Sequence, residues 1–218
     1  MPRSHPRIAH YGRYDRTAAE VAYGDSLEAT ERAKADGYKG IDKNMLSTSD
    51  LVPIVNHSPV LSSFLGGKFT HRWTGPEWGE GALILDPNRD RGVGARKWAD
   101  VALVTDVTGT RRIRPLAEHV KQGVELGVIQ YPEAKAQPLL ESETFWHNVG
   151  VVMDQFGHPR VMMMLSGHGH PTRTFAAAKA QGFHTAVLPR GNRPVNFLTA
   201  WAPVLDAVWG TAWNPIPA

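Results

Sequence analysis

The chain has 218 residues, of which 42% are hydrophobic and 21% charged, with a formal net charge of +3 at pH 7. This balance excludes an extensively disordered chain and predicts a single domain spanning residues 1–218 with a sizeable core. The basic residues are scattered and no nucleic-acid recognition motif is present, so we expect no specific nucleic-acid binding.

The composition also limits the possible chemistry and location. There is no cysteine, which excludes disulfides, thiolate zinc sites and a cysteine nucleophile. The first seven residues lack the apolar core of a signal peptide, and the longest apolar runs are far shorter than the about 20 residues of a membrane span. We therefore expect a soluble protein with no membrane span, in the cytoplasm or incorporated in a larger particle, and of unknown oligomeric state.

The first quarter of the chain alternates short apolar runs with one helical pattern. A strand is predicted at 7–10, and Ser26 is typical of an N-cap before a helix over 27–36. A second strand is predicted at 40–45, and an extended segment at 53–57.

Residues 60–112 are rich in tryptophan and glycine and interrupt this alternation. Two pieces, 82–85 and 101–105, are strand-like. We interpret the segment as a long insertion after the second strand, forming a hairpin or lid, because long excursions in compact domains are often functional. A loop packed only by its own tryptophans is the alternative.

Regular alternation then resumes to the C-terminus. The predicted helices are 116–126, 143–156, 172–181 and 195–201, and the predicted strands are 128–135, 160–166, 184–188 and 204–209. Strands that alternate with helices predict a parallel sheet in the α/β class, and near-continuous apolar strands suit a TIM-barrel-like (β/α) barrel. About six core strands can be counted, so an incomplete or rearranged barrel is also open.

Four polar clusters lie in or just after predicted strands. They are Ala9-His10, Asp42-Lys43-Asn44, Asn56-His57 and Glu133-Ala134-Lys135. The carboxyl ends of barrel strands carry the chemistry in this architecture, and residues two apart on a strand share a face. Oxygen ligands such as Asp42, Asn44 and Glu133 suit Ca²⁺ or Mg²⁺. The structural alternative is an ion pair between Asp42 and Lys135 near a strand end.

These strings resemble the glycerophosphodiester phosphodiesterases, which are TIM barrels of the phospholipase-C-like superfamily. The matching segments are Ile8-Ala9-His10, Ser26-Leu27-Glu28-Ala29, Gly40-Ile41-Asp42-Lys43-Asn44 and Val52-Pro53-Ile54-Val55-Asn56-His57. The family pattern runs His-Arg-Gly, Pro-Glu-Asn-Thr, Glu-x-Asp, His-Asp and Glu-x-Lys. The likeness covers about 7–59 and 113–135.

Several positions depart from that pattern. The departures are Tyr11 for the Arg, Gly24 for the Glu of Pro-Glu-Asn-Thr, Asp42 and Asn44 for Glu-x-Asp, and Ser58 for the Asp after the second His. Arg13 is a candidate substitute for the missing Arg. With fewer negative ligands, a divalent cation should bind more weakly than the family norm, or not at all.

The resemblance implies a role for each matched residue. His10 and His57 would be the general acid and base, with Lys135 acting on the phosphoryl oxygens as a third catalytic residue. Asp42, Asn44 and Glu133 would hold the metal, Ca²⁺ or Mg²⁺, and Arg13 would contact substrate. Separately, the indole of Trp209 suggests a substrate-binding surface for a sugar or glycerol group, with a place in the core as its alternative.

Three functional hypotheses follow from the sequence. The first is a divergent metal-assisted phosphodiesterase that hydrolyses a glycerophosphodiester or related small-molecule or polymer polyol phosphodiester. The second is a catalytically weakened barrel that serves as a binding or structural module of a larger assembly, such as a phage tail component contacting cell-wall polymers. The third is a different α/β enzyme centred on His168 and His170.

Overall fold

The computed structural model describes residues 8–9, 25–56, 92–103, 112–135, 137–165, 171–188 and 206–208. In this part of the chain, helices and strands alternate as an α/β protein. The strands are β1 Ile8–Ala9, β2 Gly40–Ser47, β3 Pro53–Val55, β4 Arg114–Pro115, β5 Ile129–Ala134, β6 Val161–Leu165, β7 His184–Leu188 and β8 Ala207–Val208. The helices are α1 Leu27–Ala35, α2 Trp98–Val101, α3 Leu116–Leu126, α4 Glu143–Gln155 and α5 Pro171–Ala180, with 3₁₀ turns at Val93–Ala95 and Pro138–Glu141.

All eight strands belong to one mixed sheet. The order is β4-β3-β2-β5-β6-β7-β8, with β1 paired to β2. Strands β2, β5, β6, β7 and β8 run parallel, while β3 pairs antiparallel with both β2 and β4. Within the described residues no pairing closes this sheet, so the prediction of an incomplete α/β barrel is confirmed and that of a wholly parallel sheet is wrong.

The antiparallel strand has a local cause. Only residues 48–52 connect β2 to β3, and a parallel return needs a crossover of a dozen or more residues. The Thr48 side chain organises this turn: its hydroxyl donates to Asp50 Oδ1 over 2.6 Å and accepts from the Val52 N–H over 3.1 Å.

Strand β2 is the centre of the site-bearing half of the sheet. Its residues from Gly40 to Met45 pair with β5 along one edge. The other edge is shared, because β1 pairs with its start at Gly40 and Ile41 and β3 pairs with its end from Met45 to Ser47. Every residue of β2 is buried.

Helices α1, α3, α4 and α5 cover one face of the sheet. Met45, Val120, Trp146, Met162 and other apolar residues form the main core between strands and helices. Trp146 lies edge-on to the Phe183 ring at 5.1 Å between centroids, and its indole N–H donates to the Leu140 carbonyl over 2.8 Å. Helix α1 packs separately on the start of β2 through Ala33 and Ile41.

The described part of the predicted insertion, 92–103, packs on the β2–β3 turn. Val93 and Val101 bury against Leu46 and Ile54. The Trp98 N–H donates to Asp50 Oδ1 over 2.9 Å and so begins α2 at residue 98. The predicted strand 101–105 is therefore wrong from 101 to 103: residue 101 ends the helix, and residues 102–103 form a turn. The predicted strand 82–85 and helix 195–201 lie outside the described residues.

Among the described helices, none is long and apolar enough to cross a membrane.

Candidate active site

The pairing of β2 with β5 brings four of the predicted site residues together. Asp42 lies opposite Tyr131 and Asn44 lies opposite Glu133, so these side chains share one face of the sheet. Lys135 follows two residues after Glu133 and continues the same face at the carboxyl end of β5. All four predicted residues, Asp42, Asn44, Glu133 and Lys135, are buried.

The other face of β2 packs against the helices, which confirms that successive residues of this strand point to opposite faces. Ile41 and Met45 pack among the helices. Lys43 also points away from the site face, and its ammonium donates to the Ser26 carbonyl over 2.8 Å at the start of α1.

Glu133 and Lys135 form a buried ion pair. The Lys135 ammonium lies 2.6 Å from Glu133 Oε1, with side-chain exposures of 8% and 0%. This pairing differs from the ion pair between Asp42 and Lys135 that was the structural alternative from sequence. A paired lysine and carboxylate at a strand end can present both signs of charge to a phosphodiester.

Asp25 is a site residue that sequence reasoning missed. Its carboxylate accepts two hydrogen bonds from Asn44, one from the backbone N–H at 3.0 Å and one from the side-chain Nδ2 at 2.5 Å. Its backbone is left-handed, with φ of 69°, which Asp tolerates better than most residues. The available signals were its position directly after Gly24 in the Pro-Glu-Asn-Thr pattern and its place beside the Ser26 cap of α1.

The Lys43 ammonium acts on this buried carboxylate. Burial raises the pKa of Asp25 to about 6, against the ammonium of Lys43 and the hydrogen bonds from Asn44. Burial likewise lowers the pKa of Lys43 to about 8, against the carboxylates of Asp25, Asp42 and Glu28. The two groups therefore stabilise each other's charge behind the site face.

The oxygen-rich face has the donor chemistry of a hard divalent cation. The Asn44 Oδ1 atom is buried and has no hydrogen-bond partner among the described residues. It lies on the face that carries the Asp42 and Glu133 carboxylates, and oxygen ligands of this kind suit Ca²⁺ or Mg²⁺. Within the described ranges no group of three or more His, Cys, Asp or Glu side chains could hold a metal.

The remaining predicted residues lie outside the described part of the chain. They are His10, Arg13, His57 and Trp209, together with the alternative centre at His168 and His170. The residues directly before His10 and His57 do lie in the described part of the chain. Ala9 pairs with Ile41 of β2, and the Asn56 N–H donates to the Asn44 carbonyl over 2.9 Å.

Known structures share the fold of this chain. A putative glycerophosphoryl diester phosphodiesterase from Silicibacter pomeroyi DSS-3 is 13% identical, with a TM-score of 0.59 over 93% of this chain and 81% of that chain. A glycerophosphodiester phosphodiesterase from Parabacteroides distasonis ATCC 8503 is 12% identical, with a TM-score of 0.53 over 93% and 91% of the two chains. A putative glycerophosphodiester phosphodiesterase from Galdieria sulphuraria is 10% identical, with a TM-score of 0.51 over 94% of each.

The chain has the fold of the glycerophosphodiester phosphodiesterases. No protein-family model and no curated protein sequence matches it. The likeness at 10–13% identity concerns the fold, and it confirms the resemblance first drawn from the sequence strings at that level. The departures at Asp42 and Asn44 mark the chain as divergent within this fold.

Proposed function

We propose that the protein is a divergent, cation-assisted phosphodiesterase that hydrolyses a glycerophosphodiester or a related polyol phosphodiester. One observation carries the proposal. Asn44 and Glu133 are paired on neighbouring parallel strands, and Lys135 lies at the end of the second strand, in a chain with the glycerophosphodiester phosphodiesterase fold. The carboxyl ends of barrel strands are where such folds place catalytic groups.

The cation would be held by Asn44 Oδ1 together with the carboxylates of Asp42 and Glu133. A bound Ca²⁺ or Mg²⁺ would supply Lewis-acid stabilisation to the phosphoryl oxygens. The ammonium of Lys135 adds a fixed positive charge at the same place, which stabilises negative charge as it develops in the transition state.

Proton transfer falls to the two histidines of the resemblance, His10 and His57. One takes the proton of the attacking hydroxyl, which belongs to water or to a neighbouring carbon of the substrate, and the other protonates the leaving alkoxide. Imidazole suits both tasks near neutral pH. Arg13 and Trp209 are proposed to contact the substrate.

The test is hydrolysis of a glycerophosphodiester and of a chromogenic phosphodiester, with Ca²⁺ or Mg²⁺ and with a chelator. His10→Ala should lower kcat by about 10²-fold or more, as expected for loss of a general acid or base. Glu133→Gln should remove the cation dependence along with most of the activity. Glu125→Gln makes the same chemical change on the exposed surface of α3 and should leave turnover unchanged.

Two outcomes would overturn the enzyme proposal. One is the absence of turnover with every divalent ion tried. The other is turnover that Glu133→Gln leaves intact, since that result would place the chemistry elsewhere, for instance at His168 and His170.

A second candidate function is a binding module of a larger assembly. It is supported by the engagement of Glu133 with Lys135, because a carboxylate already paired with an ammonium is a weaker cation ligand. This candidate predicts that a glycerol-phosphate polymer binds the protein and is recovered uncleaved in the presence of Ca²⁺ or Mg²⁺.

A further inference from the structure

The side-chain amide of Asn44, on the site face of β2, is hydrogen-bonded to Asp25. The Asp25 carboxylate accepts two hydrogen bonds from Asn44, one from the backbone N–H at 3.0 Å and one from Nδ2 at 2.5 Å. Both residues are buried, so water does not compete freely for these bonds.

These two bonds fix which end of the amide is available to a ligand. A carboxylate only accepts hydrogen bonds, and an amide donates through nitrogen and accepts through oxygen. Asp25 therefore binds Nδ2, and Oδ1 is directed away from that carboxylate. Oδ1 is also one of the buried atoms that have no hydrogen-bond partner within the described ranges, and its residue lies directly opposite Glu133.

The sequence pattern gives an independent observation. When the Glu of Pro-Glu-Asn-Thr falls at Gly24, the next position of that pattern, Asn, falls at Asp25. The Asp of Glu-x-Asp falls at Asn44. The chain therefore has a carboxylate at 25 where that pattern has an amide, and an amide at 44 where it has a carboxylate.

We propose that Asp25 is a positioning residue of the cation site, and that the Asp25–Asn44 pair works as an exchanged carboxylate–amide pair. Asp25 holds the Asn44 amide with Oδ1 toward the cation, and its negative charge makes that oxygen a better ligand. The inference rests on the cation use in the proposed function, and it assigns a role to a residue that would not itself touch the substrate.

The experiment measures Ca²⁺ affinity by isothermal titration calorimetry on four forms of the full chain. They are the original protein, Asp25→Asn, Asn44→Asp and the exchanged double variant with both changes. Asp25→Asn should weaken Ca²⁺ binding about ten- to hundredfold, as is usual when a residue that orients a metal ligand is lost. The amide at 25 can donate as well as accept, so Asn44 is free to turn its oxygen inward.

The exchanged double variant should recover the affinity of the original protein, because an amide at 25 can donate to a carboxylate at 44. If Asp25 had only a structural role, Asp25→Asn would lower the unfolding temperature measured in chelator. The Ca²⁺ affinity would then neither fall in Asp25→Asn nor recover in the double variant. Asp50→Asn removes a matched carboxylate from the β2–β3 turn and should leave Ca²⁺ affinity unchanged. If Asp25→Asn fails to fold, the affinity of the double variant carries the test alone.

Three results would overturn the inference: no Ca²⁺ binding by the original protein, unchanged affinity in Asp25→Asn, or a folded double variant that does not recover binding. Failure of the proposed function looks different. Affinities that follow the expected order without hydrolysis of any phosphodiester would support the role of Asp25 and overturn the catalytic proposal. Hydrolysis by the original protein, together with unchanged Ca²⁺ affinity in Asp25→Asn, would support the catalytic proposal and overturn the role of Asp25.

Discussion

One row of residues crosses five parallel strands of the sheet, and its two halves differ in chemistry. In register order the row is Asn44, Glu133, Met163, Ala186 and Ala207. The polar half lies on β2 and β5, and the apolar half lies on β6, β7 and β8. Glu133 and Met163 are adjacent in the row and nearly equal in exposure, at 0% and 2%.

Equal burial has opposite consequences in the two halves. Met163 and Ala186 gain stability by leaving water, whereas a buried carboxylate or amide costs free energy unless charges and hydrogen bonds compensate for it. The polar half receives this compensation from outside the row: Asp25 accepts from Asn44, and Lys135 pairs with Glu133. A protein accepts such costs chiefly where function needs them, so the polar half marks the site.

Lys135→Met tests this compensation and should have the largest effect on stability. It removes the cation that balances the buried Glu133 carboxylate, and breaking a buried pair costs about 3–5 kcal/mol. The double variant Glu133→Gln with Lys135→Met should recover most of that loss, because both charges then leave together. Urea unfolding at pH 7 measures the free energies.

The apolar half provides the matched control for this experiment. Met163→Leu conserves volume and should cost less than about 1.5 kcal/mol. If Lys135→Met costs no more than Met163→Leu, the two halves are energetically alike and the polar row is not under electrostatic constraint.

The contrast also explains which parts of the fold could be read from the sequence. Helix α3 was predicted at its observed bounds, Leu116–Leu126, because its apolar spacing is local and Gly127 ends it in a left-handed conformation. The strand prediction was wrong at residues 101–103 because a short apolar run fits a helix equally well. There, the deciding contact is the hydrogen bond from Trp98 to Asp50, which is distant in the sequence.

The site divides in the same way. The shared face of Asp42 and Asn44, and of Glu133 and Lys135, follows from the two-residue period of a strand and was predictable. The ion pair of Glu133 with Lys135 depends on side-chain conformation, and the contact of Asp25 with Asn44 joins residues 19 positions apart on either side of α1. No period in the sequence encodes such a return.

His158 joins the two halves at the amino ends of their strands and provides a pH-dependent test. Its Nε2 accepts the N–H of Gln130 in β5 over 2.9 Å, and its Nδ1 lies 2.8 Å from the Pro159 carbonyl, to which it donates. Burial lowers the pKa of His158 below its usual value. His158→Ala should cost about 1–3 kcal/mol at pH 8 by leaving a buried N–H without its acceptor.

The sign of the pH effect follows from that lowered pKa. The stability that neutral His158 contributes is fully present above pH 6.5, its unfolded value, and is lost as pH falls through the folded value. The difference in unfolding free energy between the original protein and His158→Ala should therefore shrink from pH 8 to pH 5. His147→Ala, on the exposed face of α4, is the control for removing a histidine. A difference that stays constant or grows toward pH 5 would show that the two halves are not joined through a neutral imidazole.

The smallest expected effect concerns backbone strain, which is found in the polar half. Among the described residues, the non-glycine positions with positive φ are Asp25 at 69° and Leu51 at 60°, on the connections before and after β2. Leu51→Gly and Leu51→Ala both lose the leucine contacts, but only the alanine keeps the left-handed penalty of about 1 kcal/mol.

Leu51→Gly should thus be more stable than Leu51→Ala by about 1 kcal/mol in thermal or urea unfolding. At Lys121, on the exposed face of α3, the order should reverse, because glycine costs about 1 kcal/mol relative to alanine inside a helix. The same order at both positions would mean that the β2–β3 turn is unstrained. The reversal would instead show that the turn which aligns β3 with the end of β2 is strained. The contacts that hold it are the packing of residues 92–103 and the Asn148 amide, which donates to the Leu51 carbonyl over 3.0 Å.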